Sequence, residues 1–336
     1  KWYLAVLWCQ TSWWHLVTNL KLININNQIQ DDKKLILQGL LNKKQKYLLP
    51  KYFYDEKGSK LFNKITNLKE YYPTNKELEI LGNLQKEIRK KLPINSTIVE
   101  FGSGSNKKIN KFIKSLSEPK EYIPIDISKE YLFENASIIA KKFSDLKVTA
   151  ICADFSQTNR LNKILKNKKK IVSFFPGSTI GNYLPKNAKK ILKNFSKIIG
   201  KNSYLVIGVD LIKNKKTLEN AYNDKLGVTA KFNKNILNVV NKICNSNFQT
   251  KNFDHKAFYN LKKNRIEMHL ISKKNFTLKI NKKNIKFTKD ESIHTENSHK
   301  YSKNNFIKLV NKSGFKVLKY FADKKNYFGV FLLKVK

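Results

Sequence analysis

The chain has 336 residues, with 67 Lys and Arg against 25 Asp and Glu, for a formal net charge of +42. It is 41% hydrophobic and 12% aromatic, enough apolar material for a core, while 12 Gly and 7 Pro exclude a collagen-like or low-complexity chain. Three cysteines (Cys9, Cys152, Cys244) form neither a disulfide framework nor a zinc-ligand spacing, and point to a reduced, cytoplasmic protein.

The first twenty residues differ from the rest. They hold all four Trp and one Lys, and the apolar stretch from Trp2 to Val17 is broken by Gln10, Thr11, Ser12 and His15. It falls short of the roughly 20 apolar residues that span a bilayer, so no membrane span is expected and residues 1–20 are read as an extension of unassigned role. Helical spacing runs from Ile29 to about Lys46, and Pro50 ends it. A Tyr-rich segment follows, Tyr52 to Phe62, and then a helix over Lys76–Lys91 entered through Pro73-Thr74-Asn75.

From there the period alternates. Strands are predicted at Thr97–Phe101, Tyr122–Ile125, Val148–Cys152, Ile171–Phe175 and Tyr204–Val209, with helices at Asn106–Leu116, Ser128–Lys142 and Pro185–Ile199. Strand–helix repetition at this spacing gives right-handed βαβ units and a parallel sheet, an α/β fold. Residues 213–245 read as helix. Strand-like runs follow at Ala257–Tyr259, Arg265–Ser272, Phe276–Ile280 and Ile285–Phe287, then a helix over Ser302–Lys312. Two apolar strands, Phe315–Phe321 and Phe328–Val335, close the chain.

The lysines are spread along the whole chain, and only Arg89, Arg160 and Arg265 are arginine. A phosphate-gripping surface clusters its cations and favours the planar Arg fork. No specific nucleic-acid partner is therefore expected. His255, His269, His294 and His299 form no metal-ligand spacing, so no metal is expected either.

The glycine segment Glu100-Phe101-Gly102-Ser103-Gly104-Ser105 ends the first parallel strand and opens a helix, where α/β sheets bind ligands. Asp126 ends the second strand, 24 residues after Gly102, and suits the two hydroxyls of a ribose. Asp154-Phe155 follows the third strand and can meet an adenine. Lys107 stands where the third glycine of a dinucleotide fingerprint would be, which argues against a pyrophosphate-binding dehydrogenase. The pattern resembles an S-adenosylmethionine methyltransferase, as does the closing hairpin.

Further segments narrow the resemblance. They are Tyr52–Phe62 with Glu70-Tyr71-Tyr72-Pro73-Thr74, Phe174–Asn182, Ala221-Tyr222-Asn223-Asp224 with Gly227–Asn233, Arg265–Leu270, and Ile293-His294-Thr295-Glu296-Asn297-Ser298. Together, from about Tyr52 to Phe331, these resemble the histidine-specific Nα-methyltransferases of ergothioneine biosynthesis. Ile109 and His299 depart from the family pattern without replacing an assigned contact.

The resemblance implies a Rossmann-like methyltransferase core with an antiparallel C-terminal hairpin, plus a second α/β substrate domain. The core would comprise residues 76–211 and 301–336, and the substrate domain 21–75 and 212–300. It implies a monomer that trimethylates the α-amine of L-histidine to hercynine with S-adenosylmethionine as cofactor; a related enzyme acting on another amino acid or small amine is the alternative. The cofactor would be held by Gly102, Lys108, Asp126, Asp154 and Phe155. Asn182 and Tyr222 would bind the substrate carboxylate, and Glu296 and Ser298 its imidazole. Tyr54 would orient the amine or accept its proton through water, with Phe62, Tyr71 and Met268 walling the methyl path.

Overall fold

The run Thr97–Phe101 is apolar apart from its ends and Glu100, and every residue in it is buried. A strand buried on both faces belongs in the middle of a sheet covered by helices. The computed structural model, which describes residues 19–25, 29–104, 106–155, 158–280 and 282–336, builds the fold around that strand. Residues 1–18, with the four Trp and Cys9, and Ser105 of the glycine segment lie outside the described residues.

In chain order come strand β1 (Leu20–Asn24), helix α1 (Ile29–Leu40), the short strand β2 (Lys46–Tyr47), and helices α2 (Glu56–Ile65), α3 (Tyr72–Asn83) and α4 (Gln85–Lys91). The alternating region follows as β3 (Thr97–Phe101), α5 (Asn106–Ser115), β4 (Glu121–Asp126), α6 (Lys129–Lys142), β5 (Lys147–Cys152), α7 (Thr158–Leu165), β6 (Ile171–Phe175), α8 (Pro185–Ile199) and β7 (Tyr204–Asp210). Helices α9 (Lys215–Asn220) and α10 (Val228–Cys244) lead to β8 (Phe253–Asn260), β9 (Arg265–Ser272), β10 (Phe276–Ile280), β11 (Lys283–Phe287) and β12 (Ser292–His299). Helix α11 (Lys303–Asn311), β13 (Phe315–Ala322) and β14 (Phe328–Val335) end the chain.

The eight-stranded core sheet has the order β1-β5-β4-β3-β6-β7-β14-β13. Its first six strands are parallel, and β14 runs antiparallel to both β7 and β13. Helices cover both faces. In α8, Pro185 sits in the first turn, where a missing N–H costs nothing. Its Ala188, Ile191, Leu192, Phe195, Ile198 and Ile199 fall on one stripe and are buried, while its lysines face out. Strand order reverses between β4 and β6 around β3, so a crevice opens at the C-terminal ends of these strands.

A second sheet, β2-β12-β9-β8, packs with α1, α2, α9 and α10 around a separate apolar cluster that includes Phe53, Phe232, Ile266, Met268 and Leu270. Strand β12 pairs in parallel with β2 and antiparallel with β9.

Several expectations need correction. Residues 21–24 do not belong to the substrate lobe: β1 joins the edge of the core sheet beside β5, with Leu22 opposite Ala150. Five residues, with Lys21 second and Asn24 last, give too weak an alternation to read. Asn19 fastens this edge, its side-chain amide donating to the carbonyls of Ala140 and Leu146 at 3.1 and 2.8 Å. The helix expected over Lys76–Lys91 starts at Tyr72, with Pro73 inside its first turn, and breaks at Leu84. Residues 213–245 hold two helices separated by the turn Ala221–Gly227, where Gly227 has φ +66°. Strand β12 escaped the pattern altogether because, apart from Ile293, its buried residues are polar: Thr295, Glu296, Ser298 and His299.

Candidate active site

A cavity of about 1140 Å³ lies between the two sheets. Every residue assigned from the sequence to cofactor or substrate lines it: Gly102, Lys108, Asp126, Asp154, Phe155 and Asn182 from the core, and Tyr54, Phe62, Tyr71, Tyr222, Met268, Glu296 and Ser298 from the other elements.

On the core side, the chain turns sharply after β3. Gly102 has φ +71°, a region that costs an L side chain, and its N–H is donated back to the carbonyl of Ile125 at 2.9 Å. Asp126, at the end of β4, accepts from the Ser128 N–H through Oδ1 at 2.9 Å. Burial pushes its pKa up to about 7, against the backbone hydrogen bonds that lower it. A diol that donates to both oxygens would relieve that cost. Phe155 stacks edge-on to Phe101, Phe175 and Phe195, which fixes its ring in the cavity wall. Lys108 lines the cavity, but its ammonium is already paired at 2.7 Å with Glu77, which is fully buried. Glu77 also accepts from the Gly177 N–H at 2.9 Å. It thus ties α3 to the helix after the glycine turn and to the loop after β6. Gly208 is required there, since a Cβ would lie 1.9 Å from Glu77 Oε1.

On the substrate side, aromatic rings form a continuous edge-to-face wall. Tyr54 meets Phe62 and Phe232 at 5.9 Å each, Phe62 meets Tyr71 at 6.2 Å, and Tyr71 meets Tyr222 at 6.2 Å. The segment enters through Asp55, whose carboxylate caps α2 by accepting from the Gly58 N–H at 2.7 Å. Burial holds the Tyr54 hydroxyl well above its usual pKa, with Glu296 and Tyr71 adding to the shift. It is a phenol at neutral pH.

Glu296 owes its position to a β-bulge. The register of β12 against β9 slips between His294 and Glu296, leaving Thr295 as the extra residue. Thr295 Oγ1 donates to Asn233 Oδ1 and to the Met268 carbonyl. Glu296 then lies opposite Met268, and both line the cavity. Burial raises its pKa to about 7, opposed by Lys300. Tyr222 donates its hydroxyl to Ser298 Oγ at 2.8 Å, so residues assigned to opposite ends of the substrate touch each other.

Asp210, Lys213 and Lys300 escaped the sequence reading. Asp210 ends β7, the same acidic strand-end signal that singled out Asp126, and it accepts from Lys213 at 2.5 Å and Lys300 at 2.7 Å. Burial works against its ionisation, but the two lysines outweigh it and hold its pKa low. Lys300 was hidden among 64 lysines. Glu267, His269 and His294 bring ligand atoms within 4.8 Å of one another. Glu267, however, takes Nε and Nη2 of Arg265 at 2.8 and 2.7 Å. The two imidazoles stack at 4.8 Å and 16°, so their in-plane lone pairs run nearly parallel instead of converging on an ion.

A parallel sheet with a glycine turn, an acidic second-strand end and an antiparallel closing hairpin define an S-adenosylmethionine-dependent methyltransferase. The chain belongs to the family of histidine-specific, S-adenosylmethionine-dependent methyltransferases, whose model matches residues 31–335. It is 35% identical to the histidine N-alpha-methyltransferase of Mycobacterium tuberculosis over 68% of this chain and 71% of that one. It is 32% identical to the enzyme of the same name from Mycolicibacterium smegmatis over 85% and 90%. A fungal relative, ergothioneine biosynthesis protein 1 of Neurospora crassa, is 30% identical over 56% of this chain and 22% of its own length.

Proposed function

We propose that this protein transfers methyl groups from S-adenosylmethionine to the α-amine of L-histidine, three times, giving hercynine in ergothioneine biosynthesis. The observation that carries the reading is Glu296, a buried carboxylate lining the same cavity as the cofactor residues and bonded through its oxygens by none of the described residues. A buried carboxylate needs a donor, and an imidazole N–H is one. Bound cofactor supplies an electrophilic methyl group on a sulfonium, whose sulfur leaves as a neutral thioether.

The chain's own residues do the rest by position. Asp126 would take the ribose hydroxyls, Asp154 and Phe155 the adenine, and Gly102 and Lys108 the remainder of the cofactor. Asn182 and Tyr222 would hold the substrate carboxylate, and Ser298 the imidazole nitrogen away from Glu296. The amine must reach the site unprotonated, and the first two methylations each leave a cation that sheds a proton before the next. Tyr54, held as a phenol, would orient the amine through its oxygen while water carries the proton away. The rings of Tyr54, Phe62 and Tyr71 face that growing cation and stabilise it. Met268 leaves room for the added methyls.

Labelled S-adenosylmethionine offered with each of the twenty amino acids tests the reading. Label in mono-, di- and trimethylated histidine alone is expected; preferred transfer to another amine would overturn it.

A further inference from the structure

Lys300 follows β12 and has a fully buried side chain. Its three N–H bonds all have acceptors: Asp210 Oδ2 at 2.7 Å, Ser298 Oγ at 2.8 Å and Tyr222 Oη at 3.2 Å. An ammonium only donates, so one lone pair is taken on each hydroxyl oxygen. Tyr222 in turn donates to Ser298, which fills the second lone pair there. The Ser298 proton then has no acceptor among the described residues, and the direction left to it is the cavity. Lys300 does not spend its charge wholly on Asp210, because Lys213 and the Tyr72 hydroxyl also bind that carboxylate. A net positive charge therefore sits behind the pocket that Glu296 lines.

We propose that Lys300 is a positioning residue that fixes the proton pattern of the substrate pocket, so that Ser298, its own oxygen filled by Lys300 and Tyr222, donates into the pocket and Glu296 is held toward its accepting form. Such a pocket takes a neutral imidazole, with its N–H toward Glu296 and its bare nitrogen toward Ser298, and rejects an imidazolium. The inference rests on the histidine reading above. It adds a specificity element that touches no substrate atom.

The groups that face Glu296 bear on the pH dependence. Lys300 is the cation that acts on it. Tyr54, Tyr71 and Tyr222, from three different segments, feel its charge, and all stay protonated well above neutrality. Met268, opposite it on β9, does not titrate. Lowering pH thus protonates Glu296 and leaves the tyrosines, already protonated, unchanged, and losing Lys300 makes Glu296 easier to protonate.

The test compares Lys300→Met with Lys213→Met. Each removes one cation from Asp210 and leaves the other in place, so both are expected to fold. Only Lys300 touches Ser298 and Tyr222. Lys300→Met should raise KM for histidine roughly tenfold or more, change kcat far less, and leave the affinity for S-adenosylhomocysteine within about twofold. The acid limb of kcat/KM should also move up by about one pH unit relative to wild type. Titration of free histidine is common to both enzymes and cancels. Lys213→Met, which touches neither Ser298 nor Tyr222, should keep the wild-type KM and move the pH limb less than Lys300→Met does. The inference is overturned if the two variants behave alike, or if folded Lys300→Met keeps the wild-type KM and limb. A wild-type protein that ignores histidine would instead sink the functional reading itself.

Discussion

Two carboxyls with the same elevated pKa do different work. Asp126 and Glu296 both sit near 7 because burial disfavours their charge. Asp126 must be ionised to accept from two hydroxyls, so affinity for S-adenosylhomocysteine should fall as pH drops from 8 to 6. Asp126→Asn should flatten that slope in calorimetry. Asp126→Ala should cost about 2–4 kcal/mol of cofactor binding while the protein stays folded. Undiminished affinity would remove Asp126 from the cofactor site. For Glu296→Ala the loss should run the other way: a large rise in KM for histidine, near-constant cofactor affinity, and a narrowed margin over leucine or phenylalanine. A Glu296 that served only the fold would damage stability and cofactor binding together. Asp126 was legible in the sequence because it ends a clean apolar strand, and Glu296 because it lies in a segment that resembles the family. Glu77 and Lys300 were not, because a buried ion pair and a solvated one look alike as letters.

At the scale of elements, the sequence showed the parallel strands and the closing hairpin, whose apolar runs are long and clean. It did not show β1, which is short, or β12, whose buried residues are polar apart from Ile293 and whose period is broken by the Thr295 bulge. That bulge is open to test. Deleting Thr295 would restore a regular ladder in which Glu296 still faces Met268 but loses the local twist of the bulge and the Thr295 bond to Asn233. The deletant should bind S-adenosylhomocysteine with near wild-type affinity and fail to methylate histidine; retained methylation would show that the bulge does not aim Glu296. The edge strand gives a second contrast. Removal of residues 1–18 keeps Asn19 and β1 and should leave activity intact. Removal of 1–24 strips both and uncovers β5, so Tm should drop by roughly 5 °C or more. Equal Tm values for the two truncations would make β1 dispensable.

The whole molecule carries +42, yet its lysines are dispersed and the cavity that organises its chemistry is lined by aromatic rings and carboxyls. Among the described residues no helix is long and apolar enough to cross a membrane. A charge of this size still attracts polyanions. Binding to duplex DNA should be measurable at low salt, collapse near physiological salt, and show no sequence preference. Tight, selective binding at physiological salt would demand a second function for the surface.

The strand order has a consequence for how the protein comes into being. In the core sheet β14, the last strand made, lies between β7 and β13, and in the second sheet β2 waits for β12, so that Gln45 meets Ser292 across 247 positions of chain. The second sheet cannot close on a ribosome until β12 has emerged, nor the core sheet until β14 has. Half-finished chains expose open strand edges and apolar faces. The fold is therefore assembled late, and its demand on chaperones is greatest in the interval before β14 arrives.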